Sequence, residues 1–310
     1  MNIKRLAFLT IMLTYLLIVF GGYVASSHSG LGCGPEWPKC NGEIVPVLKG
    51  ATLIEYLHRV IGALLGFLSL WLFFKILRAK SGDKVPLVAF AMLSLLVVQI
   101  LFGAAVVLRD LPALVITLHL LIAMIFLALL IWLWRSPHLE GENPFVSDKH
   151  QRAAVLHLNI LLGLILVTLA FAGYIKHESY DLACGWLGCR HSFFPSTTPE
   201  ILQTLHRGFA AATALYTVIL TCVAFIKRWN AAIRRRLLLC SATVLLQMVV
   251  GILVIMKNID LPWAVLHLAI GTALFAFVSE ARIYLGNLSV KIKSVVHLKG
   301  TWQDRGNELE

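Results

Sequence analysis

Long apolar runs, parted by short polar or charged segments, divide the chain. Eight runs are continuous enough to be read as helices, at roughly 6–25, 53–75, 86–108, 113–135, 153–175, 201–226, 237–256 and 262–285. A bilayer-spanning helix needs about 20 mostly apolar residues, and each run approaches or exceeds that length. A transmembrane barrel would instead show short segments of alternating polarity. The pattern therefore predicts an all-α integral membrane protein with eight transmembrane helices. The first run follows Lys4 and Arg5 and has the outline of a secretory signal. It is long for one, however, and Gly21-Gly22-Tyr23 is not a clear cleavage site, so it is read as a retained first helix. No stretch outside the runs suggests a separate soluble domain. Composition agrees: 59% of residues are hydrophobic and 14% charged, too apolar for a soluble domain.

Charge bears on orientation more than on partner. A net charge of +11 could suggest nucleic acid in a soluble chain, but here the basic residues sort by loop. With the N-terminus placed in the cytoplasm, nineteen of the 27 lysines and arginines fall in cytoplasmic segments. Six lie on the opposite side: Lys39, Lys49, Arg109, Lys176, Arg190 and Lys257. An excess of cytoplasmic Lys and Arg marks orientation. The reading is a multi-pass protein of the cell membrane with both termini cytoplasmic, surrounded by lipid and not bound to nucleic acid. Arg234, Arg235 and Arg236 are a topology anchor, with anionic lipid as a secondary contact.

Cysteines divide by side as well. Cys33 and Cys40 fall in the first outer loop, and Cys184 and Cys189 in the third. Close, even spacing on the oxidising side favours two local disulfides, Cys33–Cys40 and Cys184–Cys189, over a four-cysteine zinc site. Cys222 and Cys240, in helices near the inner face, are read as buried free thiols.

The sequence also repeats. A shift of 148 residues places His58 on His206, Arg59 on Arg207, Gln99 on Gln247, Gly103 on Gly251 and His119 on His267. Both His–His separations are 61 residues. The "GGYV" and "AGYI" before the Cys loops agree at a shift of 151. The chain reads as a duplication, residues 1–150 and 151–310, with four helices in each half. Four being even, both halves enter the membrane in the same direction, as parallel repeats. The polar cytoplasmic linker 136–152 marks the boundary.

Counted inward from the outer ends of their helices, the four repeated histidines sit at one level, roughly 8–9 Å deep at 1.5 Å per residue. Ionisable groups at such depth are costly and usually functional. Two imidazoles on facing helices of a four-helix bundle can supply both axial ligands of a flat macrocycle. Zinc would need more ligands, and neither a carboxylate nor a thiol accompanies His206 and His267. Haem fits better than a simple metal ion, with iron held by His58 and His119 in one half and by His206 and His267 in the other. Arg59 and Arg207 have two readings: snorkelling to the outer interface, or pairing with haem propionates. Gln99 and Gln247 could bridge helices or touch a ring edge. Gly103 and Gly251 are positions of close helix approach.

The halves are not equal. Glu55 stands three residues before His58, on the same helical face, where Gln203 stands before His206. A carboxyl beside one site and an amide beside the other suggest different tasks. The second half looks like an electron-transfer site, whereas the first has a group able to accept a proton beside a reacting substrate. The plainer alternative is an interface carboxylate paired with Arg59.

Together these residues resemble haem A synthase of the bacterial type. The likeness rests on "CGPEWPKC" at 33–40, "EYLHR" at 55–59, "TLH" at 117–119, the second Cys pair, "TLHR" at 204–207 and "VLH" at 265–267, and covers roughly residues 5–285. The resemblance implies an oxidoreductase that converts the C8 methyl group of haem O to a formyl group, giving haem A for cytochrome oxidase. It implies haem b as cofactor in the C-terminal half and substrate haem in the N-terminal half. It further implies a catalytic role for Glu55 and a part for Cys33 and Cys40 in delivering or accepting electrons. Expected partners are a membrane electron donor or acceptor and haem O synthase, the prenyltransferase that makes the substrate. The alternative is a two-haem b-type cytochrome carrying electrons between quinol and an outer-face partner. The His pairs support both equally; Glu55 against Gln203 and the first Cys loop favour the enzyme. A parallel-repeat transporter would interrupt its helices at mid-depth, and no Gly/Pro break lies in the middle of the second, fourth, sixth or eighth run.

Overall fold

The computed structural model describes residues 1–79, 84–136, 151–185, 188–189 and 194–306, with backbone alone at 151–152 and 287–306. Among these residues the chain is all-α. Its helices are α1 (Ile3–Ser26), α2 (Gly50–Arg78), α3 (Lys84–Leu108), α4 (Ala113–Trp134), α5 (Gln151–His177), α6 (Thr198–Ile226), α7 (Ala231–Met256) and α8 (Leu261–Gly306). All eight are long and apolar enough to cross a membrane, α8 through its first part, Leu261–Gly286. The linker expected at 136–152 lies, apart from its ends, outside the described residues.

Several helices begin before their apolar runs do, because polar caps extend them. Thr197 and Glu200 form a capping box at α6, in which Glu200 Oε2 accepts the N–H groups of Ser196 at 2.9 Å and Thr197 at 3.2 Å. At α7 the Asn230 side chain accepts the Ala232 N–H at 2.8 Å. Such caps satisfy backbone donors that a helix leaves unpaired at its start. They carry α6 back to Thr198 and α7 back through Arg234–Arg236.

Helices α1 to α4 close into a ring in which each packs on the next and α4 returns to α1. Helices α5 to α8 do the same. Since α1 and α3 are the bundle neighbours of both α2 and α4, the latter stand at opposite corners, as do α6 and α8. The two bundles meet through α1, α4, α5 and α8. One glycine from each of the repeated "GGYV" and "AGYI" segments sits in this seam. A Cβ on Gly22 would overlap the side chain of Leu268 on α8, and one on Gly173 would lie 3.1 Å from Thr117 Oγ1 on α4. Tyr15 of α1 donates to the Ala269 carbonyl of α8 at 3.1 Å.

The tightest apolar packing lies away from the Cys loops. Leu72 and Ile76 of α2, Met92 of α3, Leu127 and Leu130 of α4 and Leu161 of α5 are all fully buried there. At that same end Glu280 of α8 binds Arg236 of α7 and Arg135 at the end of α4, tying the bundles together. Cys240 is buried, as read from sequence, but Cys222 is exposed. Its position on α6 turns it outward rather than into the bundle, so only one of the two inner cysteines is a core residue.

Candidate functional site

His58 and His206 lie eight residues past the first residue of α2 and of α6. His119 and His267 lie six residues past the first residue of α4 and of α8. These four helices all start at the Cys-loop end, so the rings sit roughly 9–12 Å into the helices. This is deeper than the apolar runs alone indicate for α2 and α6, because both helices begin earlier. His58 and His119 come from opposite corners of one bundle, and His206 and His267 from opposite corners of the other.

Glycines admit the rings. A Cβ on Gly21 of α1 would stand 3.2 Å from His58 Cε1. One on Gly103 of α3 would be 3.3 Å from His119 Cε1, and one on Gly251 of α7 only 2.9 Å from His267 Cε1. The repeated Gly103 and Gly251 are thus close-approach positions, as the sequence suggested, and what they approach is imidazole. Gln99 and Gln247 also reach the rings. Nε2 of Gln99 lies 3.1 Å from His119 Nε2, and Nε2 of Gln247 3.3 Å from His267 Nε2. Both glutamine Oε1 atoms are buried without a partner.

The other two histidines differ. His206 Nδ1 lies 3.1 Å from the Thr168 carbonyl oxygen of α5 and donates its proton there. His58 Nδ1 is buried with no partner, and its ring packs instead beside Phe20, centroids 6.0 Å apart. Neither Thr168 nor Phe20 is visible in the sequence as a site residue. The Thr168 contribution is a main-chain atom, and Phe20 looks like any apolar residue of its run.

Above each histidine pair a Cys loop is clamped to its helix. Cys33 is bonded to Cys40 and Cys184 to Cys189. Glu55 Oε2 accepts the Cys33 N–H at 2.8 Å, and Gln203 Oε1 accepts the Cys184 N–H at 2.6 Å. Gln203 also donates through Nε2 to the Asp181 carbonyl. Burial raises the Asp181 carboxyl above its ordinary range, and Lys176 opposes that shift. Arg59 pairs with Glu55 Oε1 at 2.5 Å and donates to the carbonyls of Lys39 at 2.9 Å and Glu36 at 3.1 Å. Arg207 donates to the Cys184 carbonyl at 3.3 Å. Both arginines therefore hold loops, a use the sequence did not suggest. The ion pair of Glu55 with Arg59 is the plainer arrangement that the spacing allowed.

Among the described residues no group of three or more His, Cys, Asp or Glu side chains converges as a metal site. The donor set is two pairs of imidazoles. Each pair comes from opposite corners of a bundle, and Nδ1 of His58, His119 and His267 is buried without a partner, while Nε2 of His119 and His267 meets only a glutamine amide. That chemistry fits the two axial positions of a haem in each bundle, and does not fit a four-coordinate zinc ion. His28 and His177, beyond and at the ends of α1 and α5, belong to neither pair.

The sequence model of the COX15-CtaA family, described as cytochrome oxidase assembly protein, matches residues 4–51 and 47–279. The chain is 28% identical over 288 residues to the heme A synthase of Staphylococcus haemolyticus, covering 90% of this chain and 93% of that protein. It is 29% identical over 286 residues to the heme A synthase of an Exiguobacterium species, covering 89% and 92%. It is 30% identical over 308 residues to the heme A synthase of Bacillus cereus strain G9842, covering 94% of both.

Proposed function

The chain belongs to the COX15-CtaA family of cytochrome oxidase assembly proteins, and from that premise we propose how its two bundles divide the chemistry. It is a haem A synthase, an oxidoreductase that turns haem O into haem A. The match supports this synthesis and not the electron-carrier alternative. The N-terminal half, residues 1–150, takes the substrate haem between His58 and His119. The C-terminal half, residues 151–310, keeps haem b between His206 and His267.

One observation carries this division. His206 gives its Nδ1 proton to the Thr168 carbonyl, whereas His58 Nδ1 has no partner. A bonded Nδ1 fixes the tautomer and ring orientation and makes the other nitrogen a better ligand. That suits a cofactor held through many turnovers. An unanchored His58 suits a haem that enters and leaves, and beside it stands Glu55 where the other half has Gln203.

Oxidising the C8 methyl group to formyl with water as the oxygen source releases protons and electrons in equal number. When bound, haem b supplies a one-electron acceptor for them. His58 and His119 hold the substrate and set its position relative to Glu55. Glu55 accepts protons at its carboxylate, held in place by the Cys33 N–H and by Arg59. Arg59 and Arg207 reach propionate groups through N–H donors beyond those they give the loops. The Cys33–Cys40 pair passes electrons on to a membrane acceptor, and haem O synthase hands over the substrate. The Cys loops face outward and both termini inward, as the sorting of basic residues indicates.

The test is to purify the protein, add haem O together with a quinone as electron acceptor, and extract and identify the haems. Formyl haem made from added haem O is the expected product. Recovery of unchanged haem O beside bound haem b would return the protein to the electron carriers.

A further inference from the structure

We propose that the Gln99 amide competes with haem iron for Nε2 of His119, and thereby keeps the haem of the N-terminal bundle exchangeable. This rests on the reading that His119 is a ligand to the substrate haem.

The two nitrogens lie 3.1 Å apart. An imidazole nitrogen offers one position in the ring plane, filled either by a lone pair that accepts or by a proton that is donated. Whichever way the amide is turned, Gln99 occupies that position on Nε2. Coordination of iron through Nε2 needs the same lone pair, so the hydrogen bond and the iron bond exclude each other. Helix α3 is shaped to bring the amide there. Gly103, one turn beyond Gln99, allows the helix so near that a Cβ would stand 3.3 Å from the His119 ring. The Gln99 Oε1 is buried without a partner. The amide is therefore held by its contact with the ring rather than by a network of its own, and it can give way when a stronger bond forms.

The same pair recurs as Gln247 and His267 at 3.3 Å. What differs is the ligand across the bundle. In the C-terminal half His206 is anchored by Thr168, and competition by Gln247 is set against one firmly oriented imidazole. In the N-terminal half His58 has no such anchor, so competition by Gln99 shifts the balance toward release. An enzyme that admits one haem and discharges another needs such a bias, because two fully oriented imidazoles would retain the product.

Gln99→Leu removes the competing group while keeping a similar side-chain volume. The purified variant with its haem b is loaded with haem O, and transfer of that haem to excess apomyoglobin is followed by its spectrum. Transfer is expected to slow by about threefold to tenfold, the factor corresponding to one net hydrogen bond. An unchanged rate would overturn the proposal. So would a faster one, the result expected of a Gln99 that merely supports the ring. A normal haem b spectrum certifies the fold; should Gln99→Leu lack it, Gln99→Met, also without an N–H donor, is judged by the same rate. His119→Ala separates the two levels of argument. If it still binds haem O with an unchanged spectrum, the ligand assignment itself fails. If it loses haem O while Gln99→Leu transfers at the native rate, only the competition fails.

Discussion

Glu55 Oε2 accepts the Cys33 N–H at 2.8 Å, and the corresponding Gln203 Oε1 accepts the Cys184 N–H at 2.6 Å. The same main-chain bond ties each Cys loop to the helix that carries a histidine, and an amide makes it as well as a carboxylate does. Holding the loop is thus not what requires a glutamate at residue 55. The carboxylate adds the 2.5 Å ion pair with Arg59 and the capacity to take up a proton.

Glu55→Gln should therefore keep the fold, the clamped loop and the haem b spectrum, and lose formyl-haem production. General-base contributions are about 10²- to 10⁴-fold in rate, so haem O or a half-oxidised alcohol should accumulate in a single assay. Activity within about threefold of the native protein, far below that range, would mean that the carboxylate serves Arg59 alone.

How much of this was legible in the sequence depended on the kind of atom involved. The helices could be read because apolar runs must match the bilayer, and the histidines because an ionisable side chain stands out within such a run. The anchoring of His206 could not, since every residue carries the same carbonyl that Thr168 contributes. The loop clamps were hidden for the same reason. Arg59 looked like an interface or propionate residue, yet its partners include the main-chain oxygens of Glu36 and Lys39. Helix starts were misplaced where polar caps such as Thr197 and Asn230 lengthen the helix beyond its greasy part. Gln99 and Gln247 were visible as repeated polar residues, but only the fold brings them to Nε2 of His119 and His267.

His206→Ala and His267→Ala should each remove haem b from the purified protein, read as loss of the low-spin b-type spectrum. His58→Ala should leave that spectrum in place. A full spectrum in either of the first two variants would end the assignment of the cofactor to the C-terminal bundle.

The Cys33–Cys40 bridge should matter more to activity than to folding. Closing so short a loop contributes about 2–3 kcal/mol in the chain-entropy account. Glu55 and Arg59 also hold the loop through bonds that do not involve the cysteine sulfurs. The double variant Cys33→Ser, Cys40→Ser is expected to fold with normal haem b and make little haem A. Mass mapping of the native protein without reductant should recover Cys33 linked to Cys40 and Cys184 to Cys189; cross-linked pairs would contradict the loop arrangement.

Oxygen labelling separates two routes to the formyl group. If His58 and His119 both bind the substrate iron, as proposed, no position there would be open to dioxygen, which would favour water adding to an oxidised methyl carbon with Glu55 taking the protons. Label from water should appear in the formyl oxygen, measured by mass spectrometry at early times because aldehydes exchange with solvent. Label from dioxygen instead would require one histidine of the His58–His119 pair to leave the iron.

At the far end from the histidines, Glu280 holds the bundles together, and its removal should lower stability without touching the chemistry. Arg236 reaches it through Nε at 2.9 Å and Nη2 at 3.0 Å, and Arg135 of the other bundle through Nη2 at 2.5 Å. The Arg236 guanidinium also lies 3.6 Å from the Tyr284 ring centroid. These side chains are 18–25% exposed, so water screens the pairs only in part. Glu280→Ala leaves two guanidinium groups facing the gap where their shared carboxylate was. A loss of about 1–3 kcal/mol is expected, between the values for exposed and fully buried pairs. Arg135→Ala should cost less, because Arg236 keeps its two-pronged contact. Heating the purified protein and following the haem b band gives the midpoints. The order native, Arg135→Ala, Glu280→Ala is expected from highest to lowest, with haem A formed per folded molecule the same in all. Equal midpoints for native and Glu280→Ala protein would show that apolar packing of α4 against α8 holds the seam without this ion cluster.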